Sequence, residues 1–156
     1  MTRQLRRVPP GWEHPRTAEG HFIPLYDETY EQAELRWRLG CADGDWTADP
    51  SDPPNPDAAY WRPAWDQEPT WYQLYEEVTE GTPVTPAFGT LAELRAWLLE
   101  HGERGAEHCS RPTPAAVDAL LRAGWAPSFW FERSPAGELT SGTWSSEPPT
   151  TPSLGR

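Results

Sequence analysis

Residues 70–102 read TWYQLYEEVTEGTPVTPAFGTLAELRAWLLEHG, and this stretch decides the fold class. Its first part alternates. Tyr72, Leu74 and Glu76 fall on one side of an extended chain, which predicts a strand over 71–78. Glu80-Gly81-Thr82-Pro83 combines the residues of a turn. Thr90-Leu91-Ala92-Glu93 then has capping-box spacing, with the Thr90 hydroxyl placed to accept from the fourth residue's amide and Glu93 placed to reach back. Leu91, Leu94, Trp97 and Leu98 recur at helical spacing as far as His101, and Gly102 stops the helix. A strand followed by an amphipathic helix, with no second parallel strand behind it, points to α+β.

The same grammar continues on the C-terminal side. Thr113-Pro114 opens a further helix, with proline at the first helical position where its missing N–H costs nothing. Val117, Leu120 and Leu121 make its buried side, and Gly124 ends it. Strands are expected over 128–133 and 138–144, joined by Ser134-Pro135-Ala136-Gly137. Trp125 is expected to cap the core. The Ser, Pro and Thr content from Ser145 onward predicts a disordered tail over 145–156.

On the N-terminal side, Pro9, Pro10, Pro15 and Pro24 disfavour helix, and residues 1–26 read as an extended arm. A helix is predicted over 28–39, with Asp27 as cap and Gly40 as stop, and with Tyr30, Ala33 and Trp37 on one stripe. Residues 41–70 hold six prolines and six aspartates and read as a long loop, because DPSDPPNP (49–56) fits neither helix nor central strand. The expected class is α+β: a small antiparallel sheet with two or three helices, a long Pro-rich loop and flexible tails. One domain spans 27–144, with its strand–helix–helix–strand–strand body over 70–144.

Composition narrows the function. The 156 residues carry a net charge of −11, and every basic residue is Arg. Residues 27–80 alone hold 14 acids against three Arg. Such a block repels nucleic acid and seeks basic surfaces. Leu, Ile, Val and Phe are scarce, but ten Trp and five Tyr supply large apolar rings. No run approaches the ~20 apolar residues of a membrane span. Two Cys exclude a disulfide scaffold. The first residues lack the apolar core of a secretory leader, so the expected location is cytoplasmic, with Cys41 and Cys109 reduced.

Three blocks stand in a specific order: RRVPPGWEHPR (6–16) with HFIPLYDETYEQA (21–33), YEEVTEGTPVTPAFGTLAELRAWL (75–98), and RAGWAPSF (122–129). Together they resemble a family of small proteins encoded by bacteriophages, prophages and plasmids. The resemblance covers about two thirds of the chain, and it is the middle stretch that varies most within the family. It implies a mobile-element setting and transfers no catalytic residue.

Chemistry-bearing constellations are few. Cys41, His101, His108 and Cys109 are zinc-ligand types without finger spacing. Asp43-Gly44-Asp45 with Asp49 lacks the acidic twelfth position of a calcium loop, which is Pro54. Cys109 beside His108 is a weak nucleophile pair, since sequence neighbours seldom face each other. Glu76, Glu77 and Glu80 could pair as acid and base. None makes a site, so no metal, cofactor or catalytic residue is expected and the chain is read as non-enzymatic.

Two binding readings remain. In the first, Trp46, Trp61 and Trp65 anchor an interface ringed by Asp43, Asp45, Asp49, Asp52, Asp57 and Asp66. The expected partner is a host defence protein with a basic, nucleic-acid-handling surface, so that the chain acts as an anti-CRISPR or other anti-defence inhibitor. In the second, Arg6, Arg7, Arg16 and Arg36 hold phosphates while Trp12 or Trp37 stacks on a base, which would make a nucleotide sponge. Long nucleic acid and membrane are not expected partners. A small enzyme of undefined chemistry is the third alternative.

Overall fold

A computed structural model describes residues 2–45, 47–57, 60–76, 81–102, 111–127, 129–133 and 139–143. The class is α+β with an antiparallel sheet. The elements run β1 (Arg3–Val8), α1 (Tyr30–Asp43), β2 (Trp71–Glu76), β3 (Thr82–Pro83), α2 (Leu91–His101), α3 (Pro114–Ala123), β4 (Trp125–Ala126), β5 (Phe129–Arg133) and β6 (Leu139–Thr143). The four-stranded sheet has the order β3-β2-β1-β4.

The N-terminal segment is not an arm around a body that starts at residue 70. Its strand β1 is central, pairing along its whole length with β2 from Arg3↔Glu76 to Val8↔Trp71 and carrying β4 on its other edge. Three arginines in six residues disguise this strand. Arg3, Leu5 and Arg7 share one face with Tyr72, Leu74 and Glu76, and Gln4, Arg6 and Val8 share the other with Trp71, Gln73 and Tyr75. Arg3 and Arg6 are nonetheless buried.

The first face carries the apolar core. Leu74, Val84, Leu94, Leu98, Val117, Leu120 and Ala126 form one buried cluster, with Leu5, Tyr72 and Trp97 packed at its margin. The helices that close it follow the sequence closely. Thr90 and Glu93 form the expected capping box of α2, and Thr113 caps α3 with Pro114 in its first turn. Arg95 of α2 grips Asp118 of α3 through two hydrogen bonds of 2.6 and 3.1 Å. Trp125 does not cap this core. It is 55% exposed, because it pairs with Gln4 on the sheet face opposite the core while Ala126 takes the core side.

Helix α1 starts and ends later than its sequence suggests. Thr29, not Asp27, is the N-cap, in a capping box with Gln32. Asp27 instead lies 3.7 Å from Arg6 and 3.9 Å from Arg62. The helix passes through Gly40 and ends at Gly44, which adopts the left-handed conformation. Gly40 is kept by crowding: a Cβ there would meet the Ala48 Cβ at 2.6 Å.

Strands β5 and β6 pair antiparallel as expected, Phe129↔Thr143 to Arg133↔Leu139, but as a separate two-stranded sheet, and the turn expected at 134–137 lies outside the described residues. The strand expected over 71–78 is described to Glu76. The tail 145–156 lies outside the described residues. No helix among the described residues is long and apolar enough to cross a membrane.

Candidate functional site

The second sheet face is polar. Arg6, Gln73 and Tyr75 project from it, and Trp12, His14, Leu25 and Asp27 lie against them, with Arg62 and Trp65 alongside. Arg6 Nη1 donates to the Leu25 carbonyl at 2.6 Å, its Nε donates to Gln4 at 2.7 Å, and its guanidinium stands 4.5 Å from the Tyr75 ring centre. The Tyr75 hydroxyl is a hub. Trp12 Nε1 donates to it at 3.3 Å, Gln73 Oε1 lies 2.9 Å away, and His14 Nδ1 lies 3.1 Å away. Gln73 Nε2 donates to the Thr85 carbonyl at 2.9 Å, which fixes the orientation of its amide. Burial pushes the Tyr75 hydroxyl up to about 12 and pulls His14 below its ordinary value, with Arg6 and Arg16 adding to the depression of His14.

Beside this layer lies an open cleft of about 760 Å³. It is walled by Trp12, Pro15, Arg16, Phe22, Trp71 and Pro86, with Gln73 and His14 among its lining. Residues 16–22 form a small hairpin at its rim, closed by the Arg16↔Phe22 bridge, and the Arg16 guanidinium sits 3.6 Å from the Phe22 ring centre.

The acidic face is separate. It consists of the outer side of α1, where Arg36 and Arg38 are paired with Glu28 and Glu34, and the loop that follows. At 100° per residue Leu35 and Leu39 fall opposite Ala33 and Trp37. Ala33 is buried, whereas Leu35 and Leu39 are 59% and 57% exposed. Glu31 and Asp43 lie one turn before and after them. The last turn of α1 contains no basic residue, unlike α2 with His101 and α3 with Arg122. Carboxylates therefore stand at the negative end of the helix dipole, where cations are normally favoured. Glu31, Asp43, Asp45, Asp49 and Asp52 are exposed and have no cationic partner among the described residues. The Thr47 and Ser51 amides hold the Asp45 and Asp49 carboxyls below the usual carboxylate range.

The residues singled out in the sequence divide between these places. Asp57 and Asp66 are exposed with the other aspartates. Trp61 is no surface anchor. It is buried on the Tyr26 and Tyr30 rings, and its Nε1 donates to the Asn55 carbonyl at 2.6 Å. Trp65 packs its ring edge against Trp12 at 5.4 Å, beneath Arg62. Both rings hold the Pro-rich loop onto the segment between β1 and α1 and onto the start of α1, where a chain short of aliphatic residues needs them. Trp46 lies outside the described residues.

The arginine set is dispersed as well. Arg6 is buried in the polar layer, Arg7 lies on the opposite sheet face over Tyr72, and Arg36 pairs with Glu28. Trp37 Nε1 donates to the Asp49 carbonyl at 2.8 Å. Only Trp12 and Arg16 of that set share the cleft.

Cys41 is half-buried and donates to the Ala48 carbonyl at 3.5 Å. Glu76 lies 3.9 Å from Arg3. His108, Cys109, Glu77 and Glu80 lie outside the described residues. Among the described residues no three His, Cys, Asp or Glu side chains gather as metal ligands. Sequence reasoning missed His14, Gln73 and Tyr75, and also the leucine pair of α1. The pair could have been found, since Leu35 and Leu39 fall off the Tyr30–Ala33–Trp37 stripe. No family model, curated protein or solved structure matches the chain.

Proposed function

We propose that the chain is a non-enzymatic binding protein whose acidic α1 face seats on a basic surface of a partner protein. The observation that carries this is the exposed Leu35–Leu39 pair beside a helix end whose negative dipole is reinforced by Asp43 rather than offset. Leucines at (i, i+4) provide a contiguous apolar patch. The surrounding carboxylates steer and select a cationic counterpart. A partner's Lys or Arg would supply the charge that the last turn of α1 lacks. The apolar anchors are thus leucines on a rigid helix in place of Trp61 and Trp65.

The resemblance to mobile-element proteins suggests the class of partner. In that setting, a protein with a basic surface that nucleic acid would otherwise occupy is a host defence component, and covering that surface would inhibit it. The test is affinity capture from a bacterial host carrying several defence systems, with the full chain and its L35S/L39S variant as parallel baits. A stoichiometric basic protein held by the native chain and lost from the variant is the expected result. Equal retention by both baits would overturn the assignment of the face.

A further inference from the structure

The cleft beside the polar layer is independent of the α1 face, and most of its polar groups are already engaged. Trp12 Nε1 and His14 are committed to Tyr75 and Ile23, and Gln73 to Thr85 and Tyr75. Three groups on its walls are not fully engaged: Trp71, Arg16 and the exposed Glu13 carboxylate, whose like charge Arg16 has to outweigh for an anion to bind. Trp71 is half-exposed, with the Nε1 edge of its indole beside Gly89 and no hydrogen-bond or ring-stacking partner among the described residues. Arg16 is exposed and makes no ion pair among the described residues. Its one hydrogen bond, Nη1 to the Gly20 carbonyl at 2.6 Å, and its stacking on Phe22 hold the guanidinium at the rim.

We propose that this cleft binds a small ligand that joins a planar ring to an anionic group, with Trp71 facing the ring and Arg16 pairing with the anion. A volume of about 760 Å³ lies inside the usual ~300–1,000 Å³ of small-molecule sites. A guanidinium with free N–H groups takes phosphate or carboxylate in paired hydrogen bonds, and an indole face stacks on any base. A chain of net charge −11 disfavours a strand carrying many phosphates, so the ligand class is one ring with one anion. Nucleoside monophosphates and aromatic carboxylates both meet that description.

Calorimetric titration of the full chain with adenosine, cytidine, guanosine and uridine monophosphates, with indole-3-acetate, with the free nucleosides and with inorganic phosphate separates these sources. Saturable binding of at least one ring–anion compound is expected, at least about tenfold tighter than its nucleoside or phosphate alone. R16Q changes an exposed side chain away from the core and should weaken that binding about tenfold; W71F should weaken it with the fold retained by circular dichroism. No saturable binding of any ring–anion compound at millimolar concentration overturns the proposal. So does an affinity that R16Q leaves unchanged.

Discussion

His14 Nδ1 lies 3.1 Å from the Tyr75 hydroxyl, and the two share a shortage of protons. His14 Nε2 faces the Ile23 carbonyl at 2.6 Å, so that nitrogen carries the hydrogen and Nδ1 of the neutral ring is an acceptor. Gln73 Oε1, on the other side of Tyr75, is an acceptor too. One phenolic proton serves one of them. A second proton on His14 would fill the gap, but burial comes first in opposing it, and the Arg6 and Arg16 guanidiniums add to that opposition.

Stability should therefore fall on acidification. The folded pKa of His14 lies below its ordinary 6.5, so the unfolded chain binds this proton more tightly. His14 contributes full stability above about pH 6.5, and the contribution is lost as pH falls from there towards the folded value. Denaturant melts from pH 8 to pH 5 would show the loss, and H14Q would flatten that part of the profile. A stability that rises over this range would contradict the burial argument.

Tyr75→Phe removes the hub without changing the ring. Trp12 Nε1 loses its acceptor, and whichever of Gln73 Oε1 and His14 Nδ1 takes the phenolic proton loses its donor. The expected cost is about 1–3 kcal/mol per buried group left unsatisfied, read by chemical denaturation. A loss below about 0.5 kcal/mol would mean that the layer relaxes freely.

Gly81→Ala tests the close approach that closes the polar layer. Gly81 has φ +100°, and a Cβ there would lie 1.9 Å from the Leu25 carbonyl oxygen and 2.8 Å from Arg6 Nη1. Backbone strain alone costs ~1–3 kcal/mol, and the clash adds to it. A marked drop in melting temperature is expected. Gly11→Ala, also at positive φ but with open space around it, should cost less.

Thr90→Ala should destabilise by about 1 kcal/mol, because the Thr90 hydroxyl accepts from the Glu93 amide at 3.2 Å while Glu93 reaches back to the Thr90 amide at 2.9 Å. Equilibrium denaturation reads this directly, and an unchanged midpoint would mean that the cap is redundant.

Where a local rule decides the outcome, the fold was legible. A capping box placed α2, a threonine cap with proline behind it placed α3, and a terminal glycine closed each, because hydroxyl-to-amide geometry needs only residues three apart. The central strand was hidden, since an Arg-rich segment looks solvated until Gln4, Leu25 and Tyr75 are seen to satisfy Arg6. The same gap affected the sites. Exposed aspartates follow from composition, whereas whether Trp61 faces water or Tyr26 depends on contacts across 35 positions of chain.

Affinity of the captured partner protein as a function of salt is the most direct test of the acidic face. Exposed charges are screened within ~10 Å at 0.1 M salt and within ~3 Å at 1 M. The native chain should lose at least about tenfold in affinity over that range. The D43N/D45N/D49N variant should bind more weakly at low salt and show a shallower dependence. An affinity unchanged by salt, or a triple variant that binds as tightly as the native chain, would contradict electrostatic docking through α1 and its loop.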